Sequence, residues 1–401
     1  MIYYPLTTNT ISNEDKKLAI EVIKSGNITR GYYNKSVEKY FSKKFNRYAL
    51  LVNSGSSANL LAMSLLTNNK GRYNLNKNDE VIIPTLCWST SLYPIIQTGL
   101  KPVFVDVNIN NLNLDLEKIQ KKITKKTKAI MLVHALGNCT NMARLMKIVK
   151  KYNLILIEDT CEALGSKFDN KYLGSYGSIS SFSFYFSHHI TSGEGGLVLC
   201  KNYSDYKILL SLRAHGWSRE IDYLEKNKSK NFNKLFNFIN LGYNLRLTDI
   251  QAALLFNQVK KIDKYRNNRL HNYNLINKIF RKDKFLNDNI IFVTNYSNAE
   301  ISWFNFPIIL KKIKNKKRDM ICEKLYKLGI ETRPIISGNF LKQRIIKEKF
   351  KSLAKYQFIN ADKIHTSGFM LGISSKKLNP EVIIRLANDI KKVIKEIKKI
   401  F

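Results

Sequence analysis

The chain has 401 residues, of which 44% are hydrophobic, so it can bury a sizeable core, and two domains are the default expectation. Its net charge of +36 would attract phosphorylated metabolites, nucleic acid or anionic lipid, but the lysines are spread along the chain without a nucleic-acid-binding motif, which favours solvated lysine faces. No apolar run is long enough to span a bilayer and the N-terminus does not resemble a signal peptide, so we expect a cytoplasmic protein without membrane insertion.

The five cysteines are widely spaced and form no CxxC pair: they are Cys87, Cys139, Cys161, Cys200 and Cys322. This spacing argues against a disulfide framework, a structural zinc site and an iron–sulfur cluster. We expect no metal, and reduced thiols that pack as small hydrophobic side chains.

The first part of the chain predicts helices over 13–25 and 35–45, an apolar strand over 48–52 and a helix over 58–66. Between this strand and the last helix lies the sequence NSGSS. At such a junction the free backbone N–H groups and the helix dipole point to one place. Ser56 and Ser57 are therefore candidate phosphate ligands, although a plain helix N-cap would explain the same residues.

The next part of the chain alternates strands and helices. Strands are predicted over 80–84, 102–107, 129–134 and 154–158, and helices over 89–98, 116–123 and 142–152. This alternation is typical of a largely parallel sheet that is covered on both faces. The side chains that fall just past strand ends, at the edge where open α/β sheets bind ligands, are Ser56, Trp88, His134, Asp159 and His188.

Asp159 follows the strand LILIE, which is apolar up to Glu158, and at such a position a carboxylate is either solvated or paired with a cation. A protonated pyridine nitrogen would be such a partner, as in pyridoxal phosphate sites, and Trp88 could stack on the same ring. A structural explanation for either residue alone remains open.

The stretch SFSFYFSHHITSGEGG, residues 181–196, places His188 and His189 at the end of a predicted strand and before a glycine-rich turn. The alternative is two histidines held on a polar loop. Beyond Cys200 we predict a helix over 203–214, a polar loop over 218–240, and a long helix from Thr248 with Gln251 at the capping-box position. Shorter segments follow residue 265, up to a helix over 380–399.

These segments together resemble the fold type I, pyridoxal-phosphate sugar aminotransferases and dehydratases of nucleotide-sugar biosynthesis. The resemblance runs from about residue 5 to the C-terminus, through NSGSSANLL, TLCWST, IEDTCEALGS, SFSFYFSHHITSGEGG, GYNLRLTDIQAAL and ETRPIISGNF. It implies an α/β fold with two parts. An N-terminal arm and a large cofactor-binding domain with a mostly parallel seven-stranded sheet would occupy 1–250. A linking helix and a small α+β domain would occupy 251–401.

The resemblance also implies roles for residues around the cofactor phosphate. Ser56 and Ser57 would hold this phosphate with help from Ser183. Asn244 would reach it from a second subunit, so the functional unit would be a homodimer with shared active sites.

Around the pyridine ring, Trp88 would stack on one face, Asp159 would pair with the nitrogen, and Glu162 would approach the ring hydroxyl. The residues implied to contact the substrate are His215 and Arg333, with Arg219 as a further candidate.

One position departs from the aminotransferases of this family, which carry at position 188 the lysine that bonds covalently to the cofactor. Here the residue is His188, which cannot form that bond but can move a proton, since its unperturbed pKa is about 6.5. The same exchange marks the 3-dehydratases of the family. One kind acts on a CDP-linked sugar and needs an iron–sulfur cluster, and another acts on GDP-4-keto-6-deoxymannose without one.

Only Cys322 lies beyond Cys200, so the cluster cannot be built and the GDP-sugar kind is the closer match. The resemblance thus implies removal of the C3 hydroxyl of a nucleotide-linked 4-keto-6-deoxyhexose. Pyridoxal or pyridoxamine phosphate would be held noncovalently, and L-glutamate would be the amino donor. His188 would be the catalytic base, and a structural role is expected for His189.

Two alternatives remain. The first is an aminotransferase-like enzyme that works without the lysine and leaves C3 untouched. The second is a non-catalytic cofactor- or nucleic-acid-binding protein that uses the +36 charge.

Overall fold

The computed structural model of the chain describes residues 2–221, 236–354 and 357–399. The strands are β1 Tyr48–Val52, β2 Glu80–Pro84, β3 Lys101–Val105, β4 Thr127–Val133, β5 Ile155–Asp159, β6 Lys167–Phe168, β7 Lys171–Tyr172, β8 Ile179–Ser183, β9 Gly196–Cys200, β10 Ile290–Ile291, β11 Ala299–Glu300, β12 Asn305–Leu310, β13 Thr332–Arg333 and β14 Gly368–Gly372.

The α-helices are α1 Asn13–Ser25, α2 Tyr32–Phe45, α3 Gly55–Leu66, α4 Ser89–Gln97, α5 Leu116–Ile119, α6 Met142–Lys151, α7 Tyr203–Arg213, α8 Asp249–Phe256, α9 Ile262–Lys282, α10 Lys284–Asn289, α11 Lys316–Lys327, α12 Arg344–Lys349, α13 Lys351–Ala354, α14 Ile359–Ser367 and α15 Pro380–Lys399. Among the described residues, no helix combines the length and the apolar character needed to cross a membrane.

A seven-stranded sheet in the order β1-β9-β8-β5-β4-β2-β3 forms the centre of the fold. Strand β9 runs antiparallel to both of its neighbours, whereas the pairs from β8 through β5, β4 and β2 to β3 are all parallel. Strands β2, β8 and β9 are buried along their whole length, since helices cover both faces of the sheet. The predicted α/β fold with a mostly parallel sheet is confirmed.

A four-stranded antiparallel sheet, β10-β12-β14-β13, follows later in the chain, and β11-β6-β7 forms a small third sheet. The largest apolar cluster includes residues of the seven-stranded and the four-stranded sheet, among them Leu50 and Phe369, so one core connects the two sheets. The domain boundary at residue 250 stays a prediction.

The helix predicted from Thr248 begins as expected but does not continue unbroken. Thr248 and Gln251 form the predicted capping box. Helix α8 then ends at Phe256, and a 3-10 turn, Gln258–Lys261, separates it from α9. Gln258 is buried in this turn, and its side-chain amide exchanges two hydrogen bonds with the backbone of Thr191. This long-range contact overrides the local helical preference. Of the loop predicted over 218–240, residues 222–235 lie outside the described part.

Candidate active site

A cavity of ≈ 910 Å³ opens at the edge of the seven-stranded sheet where the parallel strands end. Seven of the residues expected at the site line it: Ser56, Trp88, Asp159, Glu162, Ser183, His188 and Arg333. They come from distant parts of the sequence because the parallel strands β1, β2, β5 and β8 all deliver their carboxyl ends to this edge.

Asp159 ends β5 and is held in place by a buried hydrogen-bond network. Its Oδ2 accepts hydrogen bonds from Asn59 Nδ2 at 2.9 Å and from Ser91 Oγ at 2.7 Å, and its Oδ1 accepts one from the Cys161 N–H. Ser181 Oγ donates to Asn59 Oδ1 at 2.6 Å and thereby orients the amide. The carboxylate is 6% exposed and has no ion-pair partner among the described residues, so it is suited to a cationic ligand group in the cavity.

The start of α3 provides an anion cradle. Ser54 is the N-cap, and its Oγ accepts the Ser57 N–H at 3.1 Å and donates to the Ser57 hydroxyl. The N–H groups of Gly55 and Ser56 have no partner within the part of the chain that the structure describes. These two N–H groups can therefore bind a phosphate, whereas Ser57 is engaged in the cap and does not line the cavity.

Close backbone packing holds this cradle against β9 and β8. A Cβ atom at Gly196 would lie 2.2 Å from the Ser54 carbonyl oxygen, so only glycine fits there. A Cβ at Gly55 would lie 2.7 Å from Ser183 Cβ, which places the Ser183 side chain beside the start of α3. The helix start and Ser183 thus lie together, as a shared phosphate site requires.

Trp88 directly precedes α4 and lines the cavity with 56% of its surface exposed. A large aromatic side chain exposed inside a cavity is suited to stacking on a planar ligand ring.

Glu162 lies in the same cavity, and its Oε2 accepts the Leu136 N–H at 2.8 Å. Leu136 has φ = +53°, an uncommon conformation for a branched residue, and this conformation turns its N–H toward the carboxylate. Burial raises the pKa of Glu162 to about 7, the nearby Asp159 charge adds to the increase, and the Leu136 hydrogen bond opposes it.

Glu162→Gln is expected to change how stability depends on pH in the cofactor-free protein. Between pH 4.5 and about 7 the native Glu162 holds a proton that the unfolded chain has lost, so the unfolding free energy of the wild type falls as pH rises. The unfolding free energy of Glu162→Gln does not fall in this way. The variant should therefore become more stable relative to the wild type as pH rises, by at most about 3 kcal/mol above pH 7. Urea unfolding at about pH 5 and pH 8 measures it, and a pH-independent difference would contradict the assignment.

His188 lies on the loop between β8 and β9 and lines the cavity. Its ring packs at 5.0 Å and 31° against Phe304, and Tyr185 approaches it edge-on. Its Nδ1 is buried without a hydrogen-bond partner among the described residues. Burial lowers the pKa of His188 to about 4, Asp159 opposes this and Arg269 adds to it. The imidazole is therefore neutral at pH 7 and able to accept a proton.

His189 points away from the cavity and is buried. Its Nε2 donates to the Ser302 carbonyl oxygen at 2.8 Å, so this neighbour of His188 makes a structural contact, as expected. Burial holds the pKa of His189 well below its ordinary value.

His134 follows β4 and contributes to the lining of the cavity, and it pairs with the buried Glu158, with 3.0 Å between His134 Nε2 and Glu158 Oε2. The Glu158 carboxylate also accepts the N–H groups of Gly174, Tyr176 and Gly177. Burial would raise the pKa of Glu158, but these hydrogen bonds outweigh it and hold the pKa below its usual value. Glu158 thus fixes the turn that leads into β8 and, through β8, the loop of His188.

Glu158→Ala is expected to destabilise the protein by about 3–5 kcal/mol, because three N–H groups, two of them in buried hydrogen bonds, and a buried imidazole lose their acceptor. Urea unfolding of the cofactor-free protein measures this loss. Glu117→Ala is the matched control, since Glu117 is an exposed acid paired with Arg144, and its stability should stay close to wild type. Equal losses in both variants would contradict the anchoring role.

Three of the candidate residues lie away from the cavity, in a cluster around Arg246. The Arg246 guanidinium donates to Asn244 Oδ1 and to His215 Nε2, both at 3.2 Å, and His215 packs against Trp217. Arg219 lies 4.1 Å from the Trp217 ring centre. The structure therefore brings His215, Asn244 and Arg219 together, but not with His188 of the same chain.

Sequence reasoning missed Asn59, Ser91, Leu136 and Phe304. Ser91 lies one helical turn beyond Trp88 and could have been considered as a partner of Asp159. Asn59 and Phe304 lie inside apolar segments, where nothing local indicates a role at a site formed by distant strands.

Comparison with known proteins gives consistent matches over nearly the whole chain. The DegT/DnrJ/EryC1/StrS aminotransferase family profile matches residues 9–391. The GDP-4-keto-6-deoxy-D-mannose 3-dehydratase of Escherichia coli O55:H7 is 36% identical over 389 residues, covering 95% of this chain and 98% of that protein. The solved structure of the E. coli GDP-4-keto-6-deoxy-D-mannose-3-dehydratase with bound hydrated PLP has a TM-score of 0.87 at 35% identity and covers 98% of this chain and 99% of that one. A GDP-4-keto-6-deoxymannose-3-dehydratase structure with a trapped PLP–glutamate geminal diamine has a TM-score of 0.86 at 35% identity, covering 96% and 100%.

Proposed function

The chain belongs to the DegT/DnrJ/EryC1/StrS aminotransferase family, and from this we propose that it is a pyridoxal-phosphate-dependent 3-dehydratase of GDP-4-keto-6-deoxymannose. The observation that carries the proposal is a neutral histidine, His188, in the cavity that also contains the buried carboxylate of Asp159. The relatives of similar length that carry this activity by name support the same conclusion.

The cavity fits pyridoxal phosphate held without a covalent bond. The N–H groups of Gly55 and Ser56, together with Ser183, would hold the phosphate. Trp88 would cover the ring, and the Asp159 carboxylate would hold a protonated ring nitrogen. When bound, this cofactor supplies an electron sink and, in its pyridoxamine form, an amino group.

The side chains of the chain itself supply binding and proton transfer. Neutral His188 accepts a proton at its imidazole, and its ring is held by Phe304 while it does so. Glu162, with a pKa of about 7, can keep or release a proton near the same position. Arg333 lines the cavity as a cationic group for an anionic part of the substrate.

The overall reaction balances with glutamate as the co-substrate. The C3 hydroxyl of the sugar leaves as water, and C3 gains two electrons and a hydrogen in its place. Glutamate loses the same two electrons, becomes 2-oxoglutarate and releases its nitrogen as ammonia.

The direct test is incubation of the protein with pyridoxal phosphate, L-glutamate and GDP-4-keto-6-deoxymannose. We expect ammonia, 2-oxoglutarate and a sugar nucleotide lighter by one oxygen atom, detected by mass spectrometry. A 4-amino sugar that keeps its C3 oxygen would establish the aminotransferase alternative instead. No turnover together with salt-sensitive nucleic-acid binding would favour the non-catalytic alternative.

The active unit is a homodimer in which the cluster around Arg246 reaches the cavity of the partner subunit. Asn244 is exposed, and the nearby Leu241 is 96% exposed, as an unpaired interface residue would be. In this arrangement Asn244 would approach the cofactor phosphate, and His215 and Arg219 would approach the substrate. The cytoplasmic location stays a prediction.

Mixing two inactive variants is expected to restore activity if the sites are shared. In a hybrid dimer of His188→Asn and Asn244→Asp subunits, one site has an intact His188 and an intact Asn244. Unfolding and re-forming a mixture of the two should therefore recover part of the wild-type activity, whereas each variant alone stays weak. No recovery, with dimers present by light scattering, would contradict shared sites.

A further inference from the structure

Phe304 lines the cavity beside His188, and the backbone of its segment, residues 302–304, is held by several long-range hydrogen bonds. Ser302 N–H donates to Ser166 Oγ at 2.9 Å, and the Ser302 carbonyl accepts from His189 Nε2 at 2.8 Å. Phe304 N–H donates to the Leu136 carbonyl at 2.9 Å. These three hydrogen bonds fix the backbone of the segment relative to the rest of the core.

Arg269 also holds the backbone of this segment. Its Nη1 donates to the carbonyl oxygens of Trp303 and Phe304 at 3.1 and 2.9 Å, and its Nε donates to Ser375 Oγ. The guanidinium is 3% exposed, and no ion pair joins it to a carboxylate within the described residues. Burying a cation with only neutral partners is energetically unfavourable. In this protein the buried guanidinium fixes the carbonyl groups of two consecutive residues, Trp303 and Phe304.

Phe304 packs directly on the ring of His188. A catalytic histidine is usually oriented by a hydrogen bond to its second nitrogen, but His188 Nδ1 is buried without such a partner in the described part of the chain, and the hydrogen bond that bears on its ring involves the Cys161 backbone. The Phe304 ring, 5.0 Å away and tilted by 31°, packs on the imidazole and further restricts its rotation. The same Phe304 ring lies 5.8 Å from that of His189.

We propose that Phe304 is the positioning residue of His188, setting the plane of its imidazole by ring packing, and that His189 and Arg269 act through Phe304 by fixing its backbone. In this proposal the hydrogen bond from His189 to the Ser302 carbonyl helps to position His188. The catalytic consequence rests on the proposed function, whereas the orientation of His188 does not.

The charged and titratable groups facing His188 allow a test that needs no activity. Asp159, Arg269, His189 and Tyr185 surround it, and Phe304 closes one face against water. The chain has only 6 histidines, so their titrations can be followed by NMR of histidine-labelled, cofactor-free protein. The signal missing in His188→Asn identifies His188.

Phe304→Leu is the variant, and Phe306→Leu is its matched control. Phe306 is a buried aromatic residue two positions further on that packs on Tyr273 and Phe280 and does not line the cavity. In Phe304→Leu the titration of His188 should move up from its depressed position toward the ordinary pKa of about 6.5, because water reaches the ring. In Phe306→Leu it should stay in place.

In kinetics, Phe304→Leu should lower kcat about 10- to 100-fold, with KM changed less than about 3-fold and the cofactor retained. His189→Leu should show the same pattern in weaker form. His189→Gln should recover most of the activity, because its amide can still donate to the Ser302 carbonyl.

An unchanged His188 titration in Phe304→Leu would overturn the proposal, as would equal losses of kcat in the Phe304 and Phe306 variants. If Phe304→Leu lost the cofactor while the His188 titration stayed unchanged, Phe304 would contribute to cofactor binding and not to the position of His188, and the proposal would again be overturned. If the wild type does not turn over the GDP-sugar, the NMR measurement still tests whether Phe304 packs on His188 and shields its ring from water.

Discussion

His188→Asn is expected to abolish loss of the C3 hydroxyl, lowering turnover by about 10³-fold or more, while the protein still binds pyridoxal phosphate. Asparagine keeps a polar group of similar size but cannot accept a proton near neutral pH, and proton transfer by a positioned side chain contributes 10²- to 10⁴-fold. In our proposal the base is His188, whose ring is held against Phe304 in the cavity. Release of 2-oxoglutarate and ammonia measures the loss.

Two comparisons make this result specific. Cofactor absorbance after gel filtration should match the wild type, because the phosphate cradle and Asp159 are untouched. The second comparison is the pH profile of the wild type. Because the pKa of His188 is about 4, its ionisation should cause no change in kcat between about pH 6 and pH 8. Near-normal dehydration by the asparagine variant would mean that another group, such as Glu162, is the base.

Asp159→Asn is expected to weaken retention of pyridoxal phosphate by roughly 10²- to 10³-fold and to remove activity with it. The carboxylate is the buried anion that would pair with the protonated ring nitrogen, and breaking such a pair costs about 3–5 kcal/mol. Dialysis followed by the cofactor absorbance measures retention. Cofactor retention equal to the wild type would remove the pyridinium partner from the proposal.

The surrounding network provides the controls for Asp159. Ser91→Ala removes one hydrogen bond to Oδ2 but leaves the charge, so we expect a loss of about 10-fold or less. In the cofactor-free protein, Asp159→Asn removes a buried charge that has no cationic partner among the described residues but also disturbs hydrogen bonds to the carboxylate, so we expect the unfolding free energy to fall by no more than about 1–3 kcal/mol. This outcome would separate loss of binding from misfolding.

The parts of the fold and site that sequence predicts are those with local causes. The strand–turn–helix at 48–66 follows from an apolar run, a Ser/Gly turn and an apolar helix, and the structure has β1 and α3 there. The capping box at Thr248 is a four-residue pattern and was predicted for the same reason. Placing Asp159 and His188 in one cavity needed only the rule that parallel strands end at one edge.

The parts that sequence could not predict depend on contacts between distant residues. Asn59 and Asp159 are joined by a side-chain hydrogen bond across two different elements, and no local pattern indicates it. The break after Phe256 arises because Gln258 binds the backbone of Thr191. Phe304 would be taken for ordinary core on composition alone, since it is an apolar residue directly before a buried strand.

The pairing of β1 has a consequence for the order in which a growing chain can fold. Strand β1, at residues 48–52, pairs within the sheet only with β9, at residues 196–200, and with none of the strands that precede β9 in the chain. A nascent chain that has emerged only as far as β5 therefore carries β1 with both edges unpaired, a state prone to wrong association. We expect the anion cradle behind β1 to form only after Cys200 has left the ribosome, so truncated products that stop earlier should aggregate and bind no cofactor.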